Sequence, residues 1–157
     1  SVHVNAANPG WRDPAAARGF ETYFLSDART EEARQVADRE NASTRFETQA
    51  TTANDPLRFV MSDLASNAHL RESSRLAADV QTRLERVHPG PNRRVHQAGF
   101  KVLVTAAMPA VLVEVGFGSN PDDAAYIASA RGRHELAEAI AGAVSDFLAR
   151  YARTPAE

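Results

Sequence analysis

The chain has 157 residues, 43% of them hydrophobic, and 18 basic against 20 acidic side chains leave a net charge of -2. That is enough for one compact domain and too short for two, and without a basic stripe to follow a phosphate backbone nucleic acid is excluded as a partner. No stretch approaches the roughly 20 apolar residues that span a bilayer. The absence of cysteine removes disulfides, thiolate metal sites and cysteine nucleophiles, so any metal must be held by His, Asp or Glu.

In chain order, the alternating Ser1-Val2-His3-Val4-Asn5-Ala6 reads as a strand, which suggests that a preceding piece of the domain lies upstream of Ser1. Asn8-Pro9-Gly10 is a turn cluster that ends it. Gly19 to Leu25 is rich in the aromatic and β-branched residues that suit a pleated surface and is a second strand. Thr30 caps a helix with Glu31 and Glu32 in its first turn and Ala33, Val36 and Ala37 on one face, fading near Ser43. Asp55-Pro56 starts a longer helix whose stripe begins at Leu57, Val60, Met61, Leu64 and Ala65 and runs on to Val87. His88-Pro89-Gly90-Pro91 stops it, and a loop is expected next. Phe100–Thr105 and Ala110–Phe117 are apolar runs. The second is apolar on both faces, as a central strand covered by helices is. Asn120-Pro121-Asp122-Asp123 opens a short helix, and Leu136, Ile140, Val144, Phe147 and Tyr151 mark a terminal one. The expected fold is α/β: a twisted, mainly parallel sheet flanked by helices on both faces, with the first strand or strands of the domain missing. The domain is expected to cover 1–152, with 153–157 as a tail or the start of a linker.

Glu114 is the most informative residue, because it interrupts an otherwise buried strand. An ionised carboxylate there costs several kcal/mol unless it is neutral, paired or near a metal. The residues alone leave open a carboxylate paired with a buried arginine or helix amides, and a functional carboxylate beside a site at the strand's carboxyl end. His3, between Val2 and Val4, reads on its own as a hydrogen-bonded core or rim residue, since no HxxEH or HExxH helix supplies further ligands. His69, His88, His96 and His134 have no metal spacing and are expected to be solvated. Asp122 and Asp123 fit a helix dipole, and Gly116-Phe117-Gly118-Ser119-Asn120 lacks the glycine spacing of a nucleophile elbow.

Four segments resemble the zinc-dependent N-acetylmuramoyl-L-alanine amidases of bacterial cell walls. Ser1–Ala6 is similar to a Ser-x-His-x-Asn strand, and Gly19–Phe24 to the strand that follows it. Asn92–Phe100 resembles an Asn-Arg-Gly-Val-Lys-Gln-Ala loop, and Met108–Pro121 the closing strand and turn. The resemblance implies zinc as cofactor, His3 as one metal ligand, Glu114 as the catalytic acid/base, and hydrolysis of the amide between N-acetylmuramic acid and the L-alanine of the peptidoglycan stem peptide. It implies peptidoglycan as partner and a periplasmic or extracellular place in the cell envelope, and it leaves any activator protein unidentified. The remaining zinc ligands are expected upstream of Ser1, so the chain alone is expected to be inactive. Arg94 stands at the loop glycine, His96 at the loop lysine and Gly118 at a usual leucine. The alternative is a degenerate domain that binds peptidoglycan without cutting it. The short stretch between the first helix and Asp55 leaves no room for the long inserted helix that blocks the site in some members, so no built-in plug is expected.

Overall fold

The computed structural model describes residues 1–43, 56–104 and 106–153, with the backbone alone for residues 43 and 56–68. Four strands, β1 (Val2–Asn5), β2 (Phe20–Leu25), β3 (Asn92–Ala98) and β4 (Val111–Phe117), form one sheet in the order β1-β4-β2-β3. β1 runs parallel to β4 and β2 parallel to β3, while β2 and β4 are antiparallel. The sheet is therefore mixed, with helices on both faces: α1 (Glu31–Ser43), α2 (Pro56–Leu84), α3 (Lys101–Val104), α4 (Pro121–Ala128) and α5 (Ala130–Tyr151). A 3-10 turn at Pro14–Ala16 precedes β2. Among the described residues no helix is long and apolar enough to cross a membrane.

The alternation of side chains along β4 divides the interior in two. Val111, Val113 and Val115 face α2 and α5, packing with Phe20, Val80, Leu84, Leu136 and Phe147. Leu112 faces the other way and packs with Tyr23, Phe100 and the α1 stripe of Ala33, Val36 and Ala37. All seven residues of β4 are buried, as its unbroken apolar reading requires.

Two segments differ from their sequence reading. Residues 92–98, expected as loop, form the edge strand β3; its Arg-Arg-Val-His-Gln run shows no alternation because an edge strand is only half covered. The apolar run after Phe100 forms the short helix α3, with Leu103 as its buried residue. The starts of α1, α2 and α4 fall where capping chemistry puts them: Thr30 Oγ1 accepts from Ala33 N–H, Pro56 is the first residue of α2, and Asn120 accepts from the N–H groups of Asp122 and Asp123. The stretch 44–55 before α2 and the tail residues 154–157 lie outside the described residues.

Candidate active site

Sheet register brings the two residues singled out from the sequence side by side. His3 is opposite Glu114 across the β1–β4 pair, and Glu21 is opposite Glu114 across the β2–β4 pair. One cross-strand row thus carries a histidine and two carboxylates. Glu114 sits at the middle of β4 rather than at its carboxyl end.

The two carboxylates have opposite surroundings. Glu21 is buried and fully engaged: it accepts from Asn5 Nδ2 at 2.7 Å, Tyr23 OH at 2.9 Å and Arg93 Nε at 3.0 Å. Burial and the Glu21 charge push the Tyr23 phenol pKa upward, so the hydroxyl remains a donor. Glu114 is 0% exposed, and among the described residues neither of its oxygens has a hydrogen-bond partner. Burial foremost, then the charges of Glu40 and Glu21, push its pKa up to about 8, with Arg39 acting weakly against them. Of the two explanations left open for a carboxylate in this strand, pairing with an arginine applies to Glu21 and not to Glu114.

His3 has a partner at each ring nitrogen: Glu40 Oε2 lies 2.7 Å from Nδ1 and Ser1 Oγ 2.7 Å from Nε2. Glu40 comes from α1, and the residue before it, Arg39, donates to Asn5 Oδ1 at 3.2 Å and to the Ala6 carbonyl. α1 therefore lies across the Glu114 face of the sheet and holds β1. The stretch in which no inserted plug is expected, 44–55, lies outside the described residues; within them, Glu40 of the first helix sets a carboxylate on His3.

Among the described residues, His3, Glu40 and Glu114 bring one ligand atom each within 4.8 Å of one another. An imidazole and carboxylates are the donors a zinc ion takes in the absence of thiolates, and the two partnerless oxygens of Glu114 are what a buried cation would satisfy. The residues present fit such an ion.

Glu40 did have a signal in the sequence. It continues the spacing of Ala33, Val36 and Ala37 by one more step, so it falls on the buried stripe and not on the solvent face. Glu21 likewise alternates with Tyr23 onto the same face of β2. The other histidines are not all solvated. His134 is exposed beside Glu138, but His88 is 6% exposed, packed against Phe20 and Tyr126, with Nε2 at 3.0 Å from the Val115 carbonyl. Burial pushes its pKa down, so it is a neutral core residue. His96 is half-buried beside Tyr23, with Nε2 at 2.7 Å from the Arg93 carbonyl, and His69 is half-buried with Nδ1 enclosed. Asp123 also does more than complement a helix dipole: it is fully buried and accepts from the N–H groups of Gly19 and Phe117, pinning the exit of β4 to the entry of β2.

Comparison with known proteins decides the family. Residues 1–146 match the Amidase_3 family, described as N-acetylmuramoyl-L-alanine amidase. The chain belongs to that family. It is 31% identical over 151 residues to the N-acetylmuramoyl-L-alanine amidase AmiA of Escherichia coli, covering 94% of this chain and 50% of AmiA. It is 29% identical over 150 residues to AmiC of Neisseria meningitidis, of which it covers 35%. Among solved structures, an N-acetylmuramoyl-L-alanine amidase from Clostridium difficile 630 superposes with a TM-score of 0.59 at 22% identity, over 94% of this chain and 55% of that one. Ami1 of Mycobacterium smegmatis gives 0.59 at 20%, over 95% and 52%. The chain spans half or less of the length of these curated relatives.

Proposed function

We propose that this amidase-family chain contributes the His3–Glu114 half of a zinc site that hydrolyses the amide between N-acetylmuramic acid and the L-alanine of peptidoglycan stem peptides in the cell envelope. The observation that carries the reading is Glu114, a fully buried carboxylate with no hydrogen bond among the described residues, in register with His3. Family membership supports the amide and the substrate.

His3 is the ligand this chain gives to the metal, with further ligands supplied from outside it; Glu40 occupies one His3 nitrogen in the arrangement described. A zinc ion held there would supply Lewis acidity toward the scissile carbonyl and lower the pKa of water. The remaining chemistry belongs to Glu114. Its ionised form accepts a proton at one Oε from the attacking water, then delivers it to the alanine nitrogen as the C–N bond breaks, leaving the muramyl carboxylate and a free amine. Without a metal its pKa is about 8, and a cation beside it would favour the ionised form that takes the proton from water. Glu21, paired with Arg93 and bonded to Asn5, fixes the strand carrying the ligand. Since Glu114 is enclosed beneath α1, catalysis requires that helix to withdraw, and the Glu40–His3 contact belongs to the closed state.

Clearing of purified peptidoglycan by the full-length protein and by its Glu114→Gln variant tests the reading. Loss of clearing and of new alanine N-termini in the variant is the expected result. Equal clearing by both removes Glu114 from the chemistry, and binding without clearing by both points to a domain that only holds the wall.

A further inference from the structure

The cross-strand row does not end at Glu21. Phe20 pairs with Asn92 and Thr22 with Val95, so two residues of β3, Arg93 and Arg94, stand opposite the single Glu21. Such a bulge re-aims a side chain at the end of a ladder and is favoured beside active sites. The two arginines take different roles. Arg93 turns inward, pairs with Glu21 and Glu32, and lies over the Phe117 ring at 5.1 Å. Arg94 is exposed and its guanidinium has no ion-pair partner among the described residues.

Arg94 also holds a backbone conformation that its side chain disfavours. Its φ is 77°, and the other positive-φ residues described are the glycines Gly19 and Gly116. A non-glycine residue there costs on the order of 1 kcal/mol, and such costs collect at functional positions. The conformation is imposed from beneath. Arg94 N–H donates to Asn92 Oδ1 at 2.8 Å, the same oxygen accepts from Gln81 Nε2 at 2.7 Å, and Gln81 is fixed by the Phe20 carbonyl and Thr22 Oγ1. Glycine would hold this turn free of strain; in this chain the turn carries a cation.

We infer that Arg94 is a specificity-determining residue that binds a carboxylate of an acidic stem peptide as the peptide crosses from Glu114 toward the β3 edge. The identity of the peptide rests on the amidase reading. The geometry sets which carboxylate. β3 lies two strands from β4, roughly 10 Å at ordinary interstrand spacing, while an extended peptide advances about 3.4 Å per residue. An arginine side chain at that edge therefore meets the second or third residue after the scissile amide. An arginine fork suits a carboxylate better than a point charge does.

The test compares muramyl tripeptides in which the free carboxylate of the second residue, a glutamate linked onward through its γ-carboxyl, or that of the third residue is either left ionised or converted to its amide. Binding to the full-length protein is measured by titration calorimetry in the Glu114→Gln background, which prevents turnover. The parent should prefer the free acid by about three- to tenfold, the range of a partly exposed charge-assisted pair. Arg94→Gly should bring that ratio toward one, and Arg94→Lys should keep part of it. Arg94→Gly should melt no lower than the parent, because glycine relieves the positive φ, which separates lost recognition from lost folding. A parent without preference, or a ratio unchanged in Arg94→Gly, overturns the assignment. Cleavage by the protein with Glu114 intact is scored separately: no cleavage with a collapsing ratio sinks the amidase reading alone, and cleavage with an unchanged ratio sinks the Arg94 assignment alone.

Discussion

Replacing Glu114 by glutamine should change how stability depends on pH as well as activity. The folded protein holds a proton on Glu114 up to about pH 8, against an ordinary carboxyl value of 4.5. Below the lower value both the folded and unfolded chains carry the proton, and above the upper one neither does. Between them the unfolded chain releases a proton that the folded chain keeps, so stability falls as pH rises, by about 1.4 kcal/mol per pH unit at most. Full burial of the group leaves little solvent screening to discount. From about pH 5 to about pH 7.5 the loss comes to roughly 3 kcal/mol. Glutamine keeps the shape and cannot ionise, so the variant lacks this decline. Urea unfolding of metal-free protein across that range, in the presence of a chelator, should show the stability gap between variant and parent widening in the variant's favour by an amount of that order. A gap that stays constant with pH would mean that Glu114 is ionised and compensated in the folded state, and the argument from its isolation would fail.

Further outcomes follow from other contacts. Glu40→Ala removes the carboxylate on His3 and weakens the hold of α1, so clearing of peptidoglycan by the full-length protein should rise several-fold; an unchanged or lower rate would show that Glu40 is not a closing contact. Asp123→Ala strands the buried N–H groups of Gly19 and Phe117 and should cost about 2–4 kcal/mol in urea unfolding at neutral pH. Gly132→Ala would set a Cβ 2.0 Å from the Tyr126 carbonyl oxygen, and should lower stability by about 3 kcal/mol through displacement of the α4–α5 junction.

The parts of the fold legible in the sequence are those with strong local chemistry. Asn120-Pro121 and Asp55-Pro56 mark helix starts because a side-chain acceptor and a fixed φ act within one turn. β4 is legible because burial on both faces leaves an apolar run. β3 was not, since an edge strand with Arg93, Arg94 and His96 carries no periodic mark. In the site, Glu114 stands out as a charge in a buried strand, whereas the partners of Glu21, Asn5 and Arg93, lie on other strands and meet it only through the register. The pairing of His3 with Glu40 depends on α1 folding back across the sheet, a long-range event to which the spacing of Ala33, Val36, Ala37 and Glu40 gave only the helix face. Burial of His88 escaped notice because its partner, the Val115 carbonyl, lies 27 positions away in sequence.

The row of His3, Glu114 and Glu21 is built across strands and not along one. Its lateral spacing is therefore the interstrand repeat of about 4.8 Å, a length set by main-chain hydrogen bonds and indifferent to which apolar residues fill the core behind it. Substitutions among Val111, Val113 and Val115, or on the faces of α2 and α5 that cover them, can alter how firmly the sheet stands without changing the distance between neighbouring members of the row. Homologues can then drift far in core composition while the separation of these charged groups stays at the gauge of the sheet.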